Sequence, residues 1–214
     1  MIFHDVEQNT DDWFQLRSGK MTGSGFSKIM ANFGKAFGEP AKKYAATIAL
    51  EQITGNHLSD GFSNEHTERG HEQEPFAREA YEHKYFIDIQ NGGFFDLGDI
   101  GCSPDGLVND NGLIEIKSVI ATTHYSNIKR QSFDPAYKWQ LLGNLLFTSR
   151  DWIDFISYCP DFPEENQLFI HRLNKDDFQN EFKMMDSRIN EFRDLIEDCK
   201  KTINQSSYVI GVAA

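Results

Sequence analysis

Apolar and polar positions alternate on two different periods along this chain. From about 175 to 201, Phe178, Phe182, Met185, Ile189, Phe192 and Ile196 recur at alternating steps of four and three. That spacing predicts a long amphipathic helix with one packing face, turned to its own core or to another subunit. Near the other end, Asn9-Thr10-Asp11-Asp12 is a helix start with acids in its first turn, leading into Trp13, Leu16 and Arg17. A glycine-rich turn at 19–25 precedes a short helix over 24–31. Pro40 opens a better helix, with Tyr44, Ile48 and Ile53 at roughly helical spacing, and Gly55 ends it. Residues 65–83 read as a helix with Glu74 and Arg78 four apart on one face. Period-two segments follow at 85–90, 93–97, 100–103, 106–108 and 113–118. Helical patterns at 122–131 and 135–148, then strands at 152–159 and 167–173, lead into the long final helix. The expected architecture is α/β (α+β), a central mixed β-sheet flanked by helices.

The chain has 214 residues, enough for one sizeable core, and 39% of it is hydrophobic. The organisation expected is a single domain over 1–214: a helical part at 1–83, a sheet core at 84–173 and a C-terminal helix at 174–204. Three cysteines, Cys102, Cys159 and Cys199, have no metal-type spacing, and an odd count argues against a disulfide framework. Together with the lack of a membrane-length apolar run or a signal pattern, this points to a cytoplasmic protein with no membrane role.

The net charge of −12 runs against a nucleic-acid partner, but its distribution changes that picture. Residues 51–115 carry fourteen acids against three bases, whereas 12–43 carry six bases against two acids and 116–150 five against one. Such asymmetry permits a local cationic surface on an acidic molecule.

Candidate chemistry centres on 103–118. Asp105 follows Pro104, Asn109-Asp110-Asn111-Gly112 is a hairpin turn signal, and Glu115 and Lys117 are two apart in a strand. They therefore share a face, while Ile114 and Ile116 take the other. The strand is otherwise apolar, so its charges are expected to be partly buried and to need partners or a metal. Glu74 can supply a third carboxylate. Carboxylates without a His or Cys cluster suit Mg²⁺ or Mn²⁺, and such an ion beside a lysine suits phosphodiester hydrolysis. A solvated surface hairpin is the competing reading of these residues alone.

Two further groups bear on phosphate. Arg17 stands near Thr22-Gly23-Ser24, a plausible phosphate cradle or an ordinary arginine beside a capping serine. Tyr137, Gln140 and Leu141 share one helical face, either as core packing or as part of a site.

Taken in order, these pieces resemble the phage λ-type exonuclease family of viral recombinases, within the PD-(D/E)XK nuclease superfamily. The matching text is Trp13, Arg17 and Thr22-Gly23-Ser24; Gly70 to Arg78 with Glu74; Ser103-Pro104-Asp105-Gly106-Leu107; Ile114-Glu115-Ile116-Lys117-Ser118; and Tyr137-Lys138-Trp139-Gln140-Leu141. The resemblance covers about 10–145, and 150–214 carry none of its motifs. It implies a PD-(D/E)XK core with Asp105, Glu115, the Ile116 carbonyl and Glu74 around Mg²⁺, or Mn²⁺ in its place. Lys117 would be the catalytic lysine. Arg17, Ser24, Ser103 and Gln140 would hold the 5′-phosphate of the DNA, with Arg78 and Tyr137 in support.

The implied activity is Mg²⁺-dependent 5′→3′ exonuclease digestion of linear double-stranded DNA, leaving 3′ single-stranded tails for recombination. The implied assembly is a homotrimeric ring, and the implied partner a single-strand annealing protein. A structure-specific or restriction-type endonuclease on the same core, and a non-catalytic DNA-end-binding module, remain the alternatives.

Overall fold

The structure, a computed structural model, describes residues 1–58 and 65–205. In chain order the elements are β1 (Ile2–His4), α1 (Asp11–Arg17), β2 (Met21–Thr22), α2 (Phe26–Met30), α3 (Glu39–Thr54) and α4 (Glu65–Tyr85). The short strands β3 (Gln90–Asn91), β4 (Phe94–Asp96), β5 (Ile100–Cys102) and β6 (Gly106–Val108) lead to β7 (Gly112–Ser118). Then come α5 (Ala121–Arg130), α6 (Lys138–Thr148), β8 (Trp152–Tyr158), β9 (Leu168–Asn174) and α7 (Gln179–Gln205).

The strands form two mixed sheets, ordered β1-β4-β5-β2 and β3-β6-β7-β8-β9, with helices packed around them. The hairpin β6–β7 is antiparallel and β8 lies parallel to β7, joined through α5 and α6. This is the expected mixed α/β class, with the sheet divided in two.

The strand β7 alternates between two cores. Leu113 packs in the larger one with Leu141, Leu142 and Leu145 of α6, and Ile114 and Ile116 pack in the smaller one with Ala77 and Tyr81 of α4. Glu115 shares the Leu113 face and so turns toward α6. The stripe on α7 closes over the larger core: Phe182, Met185, Ile189, Phe192 and Ile196 are all buried. That settles its packing partner as the chain's own core.

The elements differ from expectation in places. The strand expected at 85–90 is reduced to Gln90–Asn91, because α4 runs on to Tyr85 and Phe86 then turns with φ at 54°. The Ile89 amide is taken by the Glu82 side chain at 2.8 Å instead of by a neighbouring strand. The helix expected over 24–31 opens as a 3-10 turn at Gly23–Gly25 and becomes α-helical only at Phe26. The strands β1 and β2 were not anticipated, being too short to carry a period. Among the described residues no helix is long and apolar enough to cross a membrane.

Candidate active site

Asp105 starts the β6–β7 hairpin, and its own backbone amide donates to the Ile114 carbonyl at 3.1 Å. Its Oδ2 accepts from the Ile116 amide at 2.6 Å, which ties the carboxylate to the strand that carries Glu115. From α4, Arg78 donates to the Asp105 carbonyl at 2.6 Å, and Gln8 donates to the Pro104 carbonyl at 2.9 Å. Gly92 passes so close that a Cβ there would lie 1.7 Å from the Pro104 oxygen, so any side chain would displace this corner. Asp105 is thus fixed from three directions.

Glu115 is 1% exposed. Its Oε1 accepts from Lys117 Nζ at 2.6 Å and from Gln140, and its Oε2 accepts from Asn144 at 2.9 Å. Burial first, and the Asp105 charge second, push its pKa up to about 8 against the pull of Lys117. Glu74, one helical turn before Arg78, is likewise pushed up to about 7 by burial and by Asp105. Burial also raises Asp105. Burial works against charge on Lys117, but Glu115 and Asp105 outweigh it and hold its pKa above the ordinary value. Three carboxylates therefore crowd one ammonium, an excess of negative charge that a cation would relieve.

Arg17 approaches from the end of α1. Its guanidinium stacks on the Trp13 ring, 4.0 Å from the centroid, and donates at 3.4 Å to both Thr22 and Ser24 hydroxyls. It forms no ion pair among the described residues, and burial lowers its pKa. Trp13 is itself held by Ser103: its indole donates to Ser103 Oγ at 2.8 Å, and that hydroxyl donates to the Gly93 carbonyl at 2.6 Å.

All of these groups line one cavity of about 780 Å³: Arg17, Ser24 and Ser103, then Glu74, Asp105, Glu115, Ile116 and Lys117, then Tyr137 and Gln140. The separate stretches singled out in the sequence thus meet at one place. Arg78 braces the floor through the Asp105 backbone, and the Tyr137 ring lies 5.1 Å from Lys117 Nζ. Glu72 stays exposed, which leaves Glu74 as the α4 carboxylate of the site. Two placements differ in kind from the rest: the Gln140 amide donates to Glu115, and the Ser103 hydrogen is spent on Gly93. Sequence reading missed Gln8, Arg69 and Asn144. Only Asn144 had a usable signal, four residues after Gln140 and so on the same helical face.

No group of three His, Cys, Asp or Glu side chains is arranged as a finished metal site among the described residues. The donor chemistry nonetheless fits a hard cation. Asp105, Glu115 and the Ile116 carbonyl offer oxygen, Glu115 Oε2 carries a single hydrogen bond, and the mutually raised carboxylates outnumber the one ammonium among them. A site with so few protein oxygens suits Mg²⁺ or Mn²⁺ that keeps several waters.

Comparison with known proteins bears on this arrangement. An alkaline exonuclease, LHK-Exo, from Laribacter hongkongensis is 31% identical over 92% of this chain and 99% of its own, with a TM-score of 0.77. The same protein in complex with dAMP matches equally. A phage-related exonuclease from Haemophilus somnus 129PT shares the fold at a TM-score of 0.66 and 14% identity, covering 88% of this chain and 96% of its own. No curated protein matches the chain. The profile of the YqaJ-like viral recombinase domain matches residues 12–151, a span that runs from Trp13 and Arg17 through Glu74, Asp105, Glu115 and Lys117 to Gln140. The chain belongs to the YqaJ-like viral recombinase family.

Proposed function

We propose that this protein is a DNA exonuclease, working as one nuclease domain over 1–214, that digests linear double-stranded DNA from 5′ to 3′ with Mg²⁺, or Mn²⁺ in its place. The exposed 3′ tail would serve recombination through a single-strand annealing protein, and the enzyme would act as a homotrimeric ring around the duplex. The observation that carries this reading is the union of Asp105, Glu115 and Lys117 with an arginine that lacks an acidic partner, in one cavity. Family membership and the likeness to LHK-Exo support the nuclease chemistry.

When bound, Mg²⁺ supplies Lewis-acid polarisation of the phosphodiester and lowers the pKa of water. Asp105, Glu115, the Ile116 carbonyl and Glu74 would hold it. Glu115 cannot swing away, because Lys117, Gln140 and Asn144 fix both of its oxygens. Lys117 stays protonated, so it serves as a donor to the attacking water or to the phosphoryl oxygens rather than as a base. Arg17 and Ser24 face the terminal 5′-phosphate directly. Ser103 acts through the Trp13 ring beneath Arg17, and Gln140 through Glu115. Anchoring the terminus at a fixed distance from the carboxylates makes cutting depend on an end.

Linear duplex labelled at either the 5′ or the 3′ terminus, with and without Mg²⁺, tests this. Label at the 5′ terminus should be released first and only with the metal. Earlier release of the 3′ label, or digestion in excess chelator, would overturn the assignment.

A further inference from the structure

A second cation stands at the same cavity without an acidic partner among the described residues. Arg69 lies on α4 five residues before Glu74 and lines the cavity with Ser118 and Thr123. One arm, Nη2, makes a long 3.4 Å bond to the Ser118 carbonyl, one residue past Lys117. Its Nε is buried with no hydrogen-bond partner, and so are the Ser118 hydroxyl and Gln73 Oε1. Buried donors left unmade are costly and are rare in folded proteins. Gln73 is one turn along α4, and its Oε1 meets neither donor. What is lacking is an anion with several oxygens, which is what a guanidinium fork and a hydroxyl recognise.

Its position separates it from Arg17. The residues beside Arg17 lead to the α6 side of Glu115: a Cβ on Gly23 would lie 3.1 Å from Asn144 and 3.8 Å from Gln140. Arg69 instead meets the strand at Ser118, three residues beyond Glu115, roughly 10 Å along an extended chain. The two guanidiniums therefore approach the strand at different points and from different helices.

We infer that Arg69, with the Ser118 hydroxyl, holds a second backbone phosphate of the DNA, distinct from the terminal phosphate facing Arg17. This rests on the exonuclease reading above. Two anchors, one on each side of Asp105 and Glu115, fix which linkage lies over the carboxylates and so set the cutting register. A strand held only at its end could slide over them.

The test is equilibrium binding of a linear 5′-phosphorylated duplex to Lys117→Ala protein in excess chelator, which together leave the DNA intact, across a salt series. Adding Arg69→Ala should weaken binding and reduce the slope of log K against log[salt] by about 0.9, the value for one phosphate contact. Adding Arg69→Lys should keep the slope while losing affinity, because the charge remains but the fork does not. Should Arg69→Ala fail to fold, Arg69→Gln carries the same expectation. An unchanged slope and affinity in the neutral variant would overturn the inference while the parent still bound DNA. A parent that ignores DNA, together with a wild type that leaves linear duplex undigested, would instead overturn the exonuclease reading beneath it.

Discussion

At the scale of single residues the site is organised around Glu115. A buried carboxylate with one ammonium and two amide donors has its orientation fixed before any substrate arrives, and preorganisation of this kind lowers the cost of reaching the transition state. In the proposed function Lys117 is a donor to the reacting phosphate, so Lys117→Ala should cut the digestion rate on the order of 10²–10³-fold while DNA binding persists. Single-turnover rates beside binding isotherms measure both. The crowded carboxylates have a second consequence. Glu115 and Glu74 titrate near 8 and 7 in the folded protein against an ordinary 4.5. The metal-free folded state therefore binds more protons than the unfolded chain, and its stability should fall as pH rises from about 4.5 to 8. Mg²⁺ should restore stability most at the alkaline end. Thermal melts at pH 5 and pH 8, with and without Mg²⁺, check this; a metal-free melting temperature that rises across that interval would contradict it.

At the scale of elements, the site depends on how α4 and α6 sit on β7. Asp154 on β8 is 1% exposed, accepts from Tyr81 of α4 at 2.7 Å, and is gripped by Arg172 of β9 at 2.7 and 2.8 Å. Arg172 in turn stacks on Trp152, 3.6 Å from its centroid. This network pins the helix that carries Glu74 and Arg78 to the back of the sheet. Tyr81→Phe should cost about 1–2 kcal/mol, since one charge-assisted bond is lost while Arg172 still answers the carboxylate. Urea unfolding measures the change, and a neutral substitution would mean that the bond does not hold the helix.

The same scale shows what the sequence could convey. The β6–β7 hairpin was legible because a turn signal separated two short apolar runs, and Glu115 and Lys117 followed from the period of two. The stripe on α7 was legible from its steps of four and three. Pairings such as Trp13 with Ser103, 90 residues apart, leave no local mark. The same holds for Tyr81 with Asp154 and for Arg188, which is 2% exposed and donates to the Ile29 carbonyl across 159 residues. The division into two sheets was hidden for a related reason: β1 and β2 are strands only because β4 and β5 supply their hydrogen bonds.

At the scale of the whole molecule, an acidic protein of net charge −12 presents a cavity with Arg17, Arg69 and Lys117 among its lining. With a divalent cation offsetting Glu74, Asp105 and Glu115, repulsion elsewhere and attraction there would favour DNA that enters by its end, and a closed circular duplex should resist digestion. In the proposed function one cavity joins a cleavage centre to an anchor for the terminal phosphate. Initial digestion rates on 5′-phosphorylated and 5′-hydroxyl linear duplexes, compared between wild type and Arg17→Ala, test it most directly. The wild type should prefer the phosphorylated end by about tenfold or more, as expected for a charge-assisted contact, and Arg17→Ala should lose that preference. Equal rates on the two ends in the wild type, or a preference that survives Arg17→Ala, would contradict it.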